Sequence, residues 1–301
     1  MKPNLTISEA FELYRQEVIV YRNQSAKTEE MNGCAAKSLV GFAGDMPISE
    51  LNFDLVRRWT TELRRTRKSN TVRGYILKLR VVLRHVRLEG YQALDPELIG
   101  IPRRDSTVVG YLEVDEVEAM LKASFQKSPG YSKFKRYRNR AIIALLFSAG
   151  LRNGELCQLD RHQIKAGVNF FTVIGKGDKP RPCFIDDTTH KYIDEYLALR
   201  DDPYPALFVS EQRKGRERLR PGTIQMVVKN CAKKAGLSEE THPHTLRHSF
   251  ATDLLKKNTN PVYVKNFLGH ANIQTTMQYM HVVDEDLRAI HAQKHTIVHA
   301  S

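Results

Sequence analysis

The sequence predicts a mainly α protein with a small antiparallel β-sheet, divided into two domains, the second of α+β type. Three observations point there. Apolar residues recur at helical spacing through the first hundred positions and again over most of the second half. Only one place, residues 170–185, carries two short β-type runs around a glycine turn. A polar, proline-containing stretch, Ile101 to Thr107, separates the two parts. The chain has 301 residues, 41% hydrophobic and 27% charged. That is ordinary for folded domains and long enough for about two cores. The expected division is a helical domain over 1–101, a linker over 102–107 and a second domain over 108–301.

Taken in order, Thr6 and Glu9 make a capping-box pattern, and Phe11, Leu13, Tyr14 and Val18 continue at helical spacing. A second helix starts near Ser25 and stops at Gly44. A third carries Leu55, Val56, Trp59 and Leu63. A fourth carries the apolar stripe Val72, Tyr75, Ile76, Leu79, Leu83 and Val86, and Gly90 ends it. Pro102 discourages helix in the residue before it, which opens the linker. Leu112 to Ala123 returns to helical periodicity, and Arg140 to Ser148 is a strongly apolar helix closed by Gly150. Phe170–Ile174 and Arg181–Ile185 flank Gly175-Lys-Gly-Asp178 as a β-hairpin, and Ala206–Val209 is a candidate third strand. From Pro221 onward the chain reads as helix, broken at Gly236, at Asn258–Pro261 and at Gly269.

The charge balance narrows the function. Lys and Arg number 47 against 34 acids, a formal net charge of +13. Such a surface raises the local concentration of polyanions, nucleic acid first and anionic membrane second. The charge is also concentrated. Arg57, Arg58, Arg64, Arg65, Arg67, Lys68, Arg73, Lys78, Arg80, Arg84 and Arg87 lie on the third and fourth helices, with Glu62 the one acid among them. Like charges one turn apart repel, so a single-sign face calls for a polyanion, and we expect these residues to contact DNA phosphates. No stretch of about 18 apolar residues exists, so no membrane span is expected. The N-terminal residues lack the apolar run of a signal peptide. Cys34, Cys157, Cys183 and Cys231 form no CxxC pair. A reduced, cytoplasmic protein without disulfides or a zinc module fits.

Four short motifs in the second half carry chemistry. They are Gly150-Leu-Arg-Asn-Gly-Glu-Leu156, Ile174-Gly-Lys-Gly-Asp-Lys-Pro-Arg181, His244-Thr-Leu-Arg-His248, and Leu268-Gly-His270 followed by Tyr279. Each alone has a bland reading: a surface arginine, a hairpin turn, a helix cap, a core tyrosine. In this order and spacing they resemble the tyrosine recombinase (lambda-integrase-like) family, the bacterial Xer recombinases most of all. The resemblance spans nearly the whole chain and is strongest from about Leu112 to Val283. It implies an active set of Arg152, Lys176, His244, Arg247, His270 and Tyr279, with Glu155 orienting side chains. Departures are mild: Phe267 precedes Leu-Gly-His, and Met280 follows the tyrosine.

The residue types suit the chemistry. Arginine stays protonated and presents a planar fork to phosphate, as Arg152 and Arg247 would. Tyr279 is the implied nucleophile, His244 its proton acceptor, Lys176 the acid for the leaving oxygen, and His270 a donor to a phosphoryl oxygen. The resemblance further implies an N-terminal four-helix core-binding (SAM-like) domain, a two-domain clamp on duplex DNA, and a homo-tetramer, or pairing with a related recombinase, on DNA carrying a specific site. No cofactor is expected: no GxxxxGK[ST] loop occurs, and His242, His244 and His248 lack the HExxH context of a zinc site. Chromosome dimer resolution and integration or excision of a mobile element stay open. The rival enzyme is a type IB topoisomerase, which would relax plasmid lacking any specific site. The rival outside catalysis is a helical DNA-binding regulator, which would retain no DNA after denaturation.

Overall fold

The structure, a computed structural model, describes residues 4–24, 26–103, 110–127, 129–165, 167–175, 180–211 and 216–269. Two compact units divide the chain at Thr107/Val108.

In the first unit α1 (Ile7–Tyr14) begins at the expected capping box, Thr6 with Glu9. The periodicity through Val18 does not continue as α-helix. After Tyr14 the chain widens into a π-helical turn, Arg15–Val20, which leaves Val18 half-buried and Ile19 buried. Helix α2 (Ala26–Ala43) ends before Gly44, whose φ of 78° is the left-handed conformation of a helix terminator. Helices α3 (Phe53–Thr66) and α4 (Ser69–Leu88) complete the unit. The α3 start is capped by the Asn52 side chain, which accepts from the Leu55 N–H. Their stripes meet in one core around Trp59, Ile76, Leu79 and Leu83, closed by Phe11 and Leu39. Trp59 stacks on Tyr75 and donates its indole N–H to Ser38.

The second unit is built around α6 (Lys133–Ser148), which packs against α5 (Val114–Phe125) and α8 (Asp187–Leu197). Helix α6 starts two turns earlier than its apolar run suggests, because its basic first half is also put to use. The Ser132 side chain caps it. Arg138 is buried and donates to the Val209 carbonyl. Arg140 lies between the Phe125 and Tyr192 rings and pairs with Glu195. Helix α8 has no clear apolar stripe in sequence; it buries Ile193 and Tyr196 against this same core.

The hairpin is present as β1 (Phe170–Ile174) and β2 (Pro180–Phe184), antiparallel, with Phe170 opposite Phe184 and Val173 opposite Arg181. Residues 206–209 form no strand. They make isolated bridges, Asp160 with Ala206 and Val209 with Arg218, and are buried as a core segment. Short α7 (Asn153–Gln158) follows Gly150. Then come α9 (Pro221–Lys234), α10 (Pro243–Lys256) and α11 (Pro261–Leu268). The breaks expected at Gly236, Asn258 and Gly269 are all left-handed residues. Among the described residues no helix is long and apolar enough to cross a membrane.

Candidate active site

The site forms in the second unit where α6 ends, α7 and α10 begin, and α11 stops. Gly150 closes α6 at φ 56°, and a Cβ there would lie 2.4 Å from the Phe250 ring. Only glycine fits, and the turn aims its carbonyl at Arg247, whose Nη1 donates to it at 2.6 Å. Leu151 is fully buried and anchors the turn. Arg152 then stands at the N-cap of α7, and its backbone N–H donates to Glu155 Oε2 at 2.8 Å.

Arg247 sits one turn into α10. That helix is capped by His242, whose Nδ1 accepts from the Thr245 N–H at 3.1 Å, with Pro243 in the first turn. The cap is therefore His242, and His244 is left exposed on the outer face of the first turn. Its ring centroid lies 6.1 Å from that of His242 and 6.4 Å from that of His248.

Glu155 is the electrostatic centre. Its side chain is 5% exposed, yet its two oxygens accept from two arginines. Oε1 receives Arg152 Nη1 at 2.6 Å; Oε2 receives Arg181 Nη2 at 2.7 Å; Arg247 Nη1 stands 3.9 Å from Oε2. Burial pushes this carboxyl up, but the hydrogen bond and charge of Arg181, followed by the two bonds from Arg152, outweigh it and hold it below the ordinary carboxylate range.

The opposite wall is the C-terminus of α11, which Gly269 ends at φ 60°. Three successive carbonyls there accept from three different guanidinium groups: Phe267 from Arg181, Leu268 from Arg247, and Gly269 from Arg152 at 3.1 Å. The last carbonyls of a helix lack intrahelical partners and lie at its negative end, so cations complete them. Three positive groups thus share one carboxylate and one helix terminus. Such a pocket retains a positive excess suited to an anion.

Of the expected residues, the structure brings together Arg152, Glu155 and Arg247, with His244 one turn before Arg247. Lys176, His270 and Tyr279 lie outside the described residues. Arg181 is the residue that motif reasoning passes over: it closes the second motif without an expected role. A signal for it exists, because strand alternation puts Arg181 on the same face as Cys183, toward the core. Cys183 does not compete as a nucleophile, since burial pushes its thiol up to about 11.

The basic face of the first unit divides in two. Arg73 donates to the Pro102 carbonyl at 2.6 Å, Arg80 to the Ile99 carbonyl at 2.7 Å, and Arg87 to the Ala93 carbonyl at 3.3 Å. Arg80 and Arg84 also pair with Glu97, and burial lowers the pKa of Lys78, whose ammonium lies over the Tyr14 ring. Arg73, Arg80 and Arg84 thus help hold the 3-10 turn Pro96–Leu98 and the segment after it, Arg87 holds the segment before it, and Lys78 lies against α1. Arg57, Arg58, Arg64, Arg65, Arg67 and Lys68 are exposed along α3 and its junction with α4. Arg57 and Arg58 pair with Asp54, and Arg65 with Glu62, in exposed ion pairs of small energetic weight.

Residues 110–286 match the Phage integrase family. A tyrosine recombinase XerD of Staphylococcus epidermidis is 33% identical over 234 residues, covering 75% of this chain and 77% of that protein. A tyrosine recombinase of Thermosipho africanus is 33% identical over 221 residues, covering 73% and 74%. Among solved structures, the XerH site-specific recombinase bound to a palindromic difH substrate superposes with a TM-score of 0.70 at 19% identity, over 96% of this chain and 95% of that one. The Tn1549 transposon integrase in complex with transposon right-end DNA gives 0.75 at 19% identity, over 96% and 99%. At these identities the two structures attest the shared fold.

Proposed function

This chain belongs to the phage integrase family, the tyrosine recombinases, and from that premise we propose that it is an Xer-type site-specific recombinase that cuts and rejoins duplex DNA through Tyr279. The observation that carries the reading is the trio Arg152, Glu155 and Arg247, buried or half-buried against the C-terminus of α11, directly before His270. Attack on a phosphodiester builds negative charge on the phosphoryl oxygens, and pre-oriented guanidinium donors stabilise that charge without reorganising. Arg152 fits this role well. Glu155 and Gly269 engage one N–H each on its two terminal nitrogens, while a guanidinium has five donors.

A phenol titrates near ~10, so the Tyr279 hydroxyl must lose its proton during attack. In this reading His244, exposed beside Arg247, accepts it. Lys176, in the connection between β1 and β2, donates a proton to the leaving 5′ oxygen, and His270 donates to a phosphoryl oxygen. The bond from phosphorus to the 5′ oxygen breaks as the bond to the tyrosine oxygen forms. That leaves a 3′-phosphotyrosine ester and a free 5′ hydroxyl. A 5′ hydroxyl from a second strand reverses the step, which permits exchange through a Holliday junction. Two arginines and a lysine supply the positive charge the transition state requires, so this chemistry calls for neither ATP nor a metal. The substrate is duplex DNA bearing a specific site, the assembly is a tetramer, and the working location is the nucleoid in the cytoplasm. Residues 1–101 serve as the core-binding domain and 108–301 as the catalytic domain.

The test is covalent capture. The protein is incubated with fragmented DNA of its own organism, denatured, and the retained ends are sequenced. A 3′ linkage at one recurrent position, abolished by Tyr279→Phe with binding retained, supports the reading. An adduct that persists in the variant moves the nucleophile elsewhere.

A further inference from the structure

We infer that Arg181, a residue outside the expected active set, is the positioning residue that joins the three segments of the catalytic site. The inference rests on the recombinase reading above. Arg181 lies on β2, within a few residues of Lys176. Its guanidinium donates through Nη2 to Glu155 at 2.7 Å and through Nη1 to the Phe267 carbonyl, the third residue before His270. One rigid fork therefore ties the hairpin of Lys176, the carboxylate that orients Arg152, and the end of α11 that leads to His270.

Two further features show how closely the site is built around this side chain. Gly269 is left-handed, and a Cβ on it would stand 2.6 Å from Arg181 Cδ. The arginine stem crosses the helix end where only glycine leaves room. Arg181 is also held at a cost. Its side chain is 7% exposed, and its Nε is buried without a hydrogen-bond partner among the described residues. Buried ion pairs are often replaced by apolar residues without loss of stability, so stability alone does not explain an arginine here. A lysine would keep the charge, but a single ammonium cannot reproduce the planar, two-ended bridge.

Arg181 also sets the charge state of Glu155. Among the described residues, the groups facing that carboxyl are Arg152 at the N-cap of α7, Arg181 and Cys183 on β2, and Arg247 on α10. Arg181 exerts the largest downward pull among them. Without its fork, burial is opposed by less, and Glu155 takes up a proton at higher pH.

The experiment uses the full-length protein on a nicked suicide duplex carrying the site found by covalent capture. Single-turnover cleavage is measured across pH beside non-covalent DNA affinity, for wild type, Arg181→Lys and Gly269→Ala. The second variant displaces the Arg181 stem while keeping its charge. We expect both variants to bind DNA within about threefold of wild type and to cleave roughly 100-fold more slowly, the cost of misplacing reacting groups by about an ångström. In Arg181→Lys the acid limb of the rate profile moves to higher pH. If Arg181→Lys fails to fold, Gly269→Ala decides. Wild-type cleavage in the variants with an unmoved acid limb overturns the inference. So does DNA affinity that falls in step with cleavage, since Arg181 would then be a phosphate ligand or a fold determinant. A wild-type protein that forms no adduct overturns the recombinase reading itself, and this inference with it.

Discussion

Replacing Glu155 with glutamine tests the electrostatic centre of the site most directly, because the change is nearly isosteric. Oε1 accepts one N–H, from Arg152, and Oε2 accepts two, from the Arg152 backbone and from Arg181. An amide has one oxygen and one NH2 group. Either orientation therefore turns a donor against a donor. The substitution also removes the negative charge that, among the described residues, faces Arg152, Arg181 and Arg247 together. Breaking a buried pair by removing one partner typically costs ~3–5 kcal/mol. For a domain of this size each kcal/mol lowers the melting temperature by ~2–4 °C, so the expected drop is roughly 6–20 °C. The sign of the pH dependence follows from the depressed Glu155 carboxyl. Its stabilisation is complete above the unfolded value of ~4.3 and is lost as pH falls through the lower folded value. The variant should lack that acid-dependent component. A bound phosphate can replace the missing anion, so site DNA should raise the melting temperature of the variant more than that of wild type. Calorimetry with and without DNA, repeated as pH is lowered below 5, measures all three effects. A variant within about 1 kcal/mol of wild type, with the same acid sensitivity, would refute the reasoning.

Three further outcomes are expected. Arg152→Ala and Arg247→Ala should each slow single-turnover cleavage by about 100-fold or more, the usual cost of one transition-state donor, while DNA affinity changes far less; near-normal cleavage in either would remove it from the phosphate clamp. Replacing Arg64, Arg65 and Arg67 with Gln should make the dependence of log affinity on log salt shallower, by ~0.9 for each phosphate no longer neutralised, on specific and random DNA alike. An unchanged slope would show that this surface faces solvent. Lys176→Ala should be severely impaired on normal DNA and recover on a substrate with sulfur at the bridging 5′ position, because a thiolate leaves without a proton. Tyr279→Phe should not recover on that substrate, and failure of sulfur to restore Lys176→Ala would assign the proton to another group.

Helix positions are legible wherever an apolar stripe ends in a special residue. Thr6 with Glu9, Gly44, Gly90, Gly150 and Gly269 all mark ends that the structure shares. The failures have a common cause, which is tertiary use of residues whose local pattern points elsewhere. The apolar run marks α6 only from Arg140, and the charged turns before it join the helix with Arg138 buried against a carbonyl and Arg140 half-buried between two aromatic rings. Residues 206–209 have strand composition because they fill the core, but only single bridges form on either side. The widening into a π-helical turn after Tyr14 leaves no mark in hydrophobic spacing. On the basic face, charge alone does not distinguish Arg80, which ties down the Pro96–Leu98 turn, from Arg64, which stands in solvent.

The site shows the same division between chemistry and placement. Motif spacing is enough to nominate Arg152, Glu155 and Arg247, because phosphate chemistry restricts which residue types can serve. It cannot reveal that three guanidinium groups meet three successive carbonyls of one helix end, since Arg152, Arg181 and Arg247 lie far from Phe267–Gly269 or far from one another in sequence. That arrangement gives the two left-handed glycines complementary roles. Gly150 turns its carbonyl toward Arg247 from one side. Gly269 ends α11 so that its last carbonyls face the arginines from the other, and leaves space for the Arg181 stem. Backbone oxygens fix the planes of the side chains while leaving their positive charge largely uncompensated. Carboxylates in the same places would orient the arginines equally well and would also neutralise them. A site that must hold several cations ready for one phosphate gains from carbonyl partners for that reason, with Glu155 as a full negative charge that faces all three arginines among the described residues.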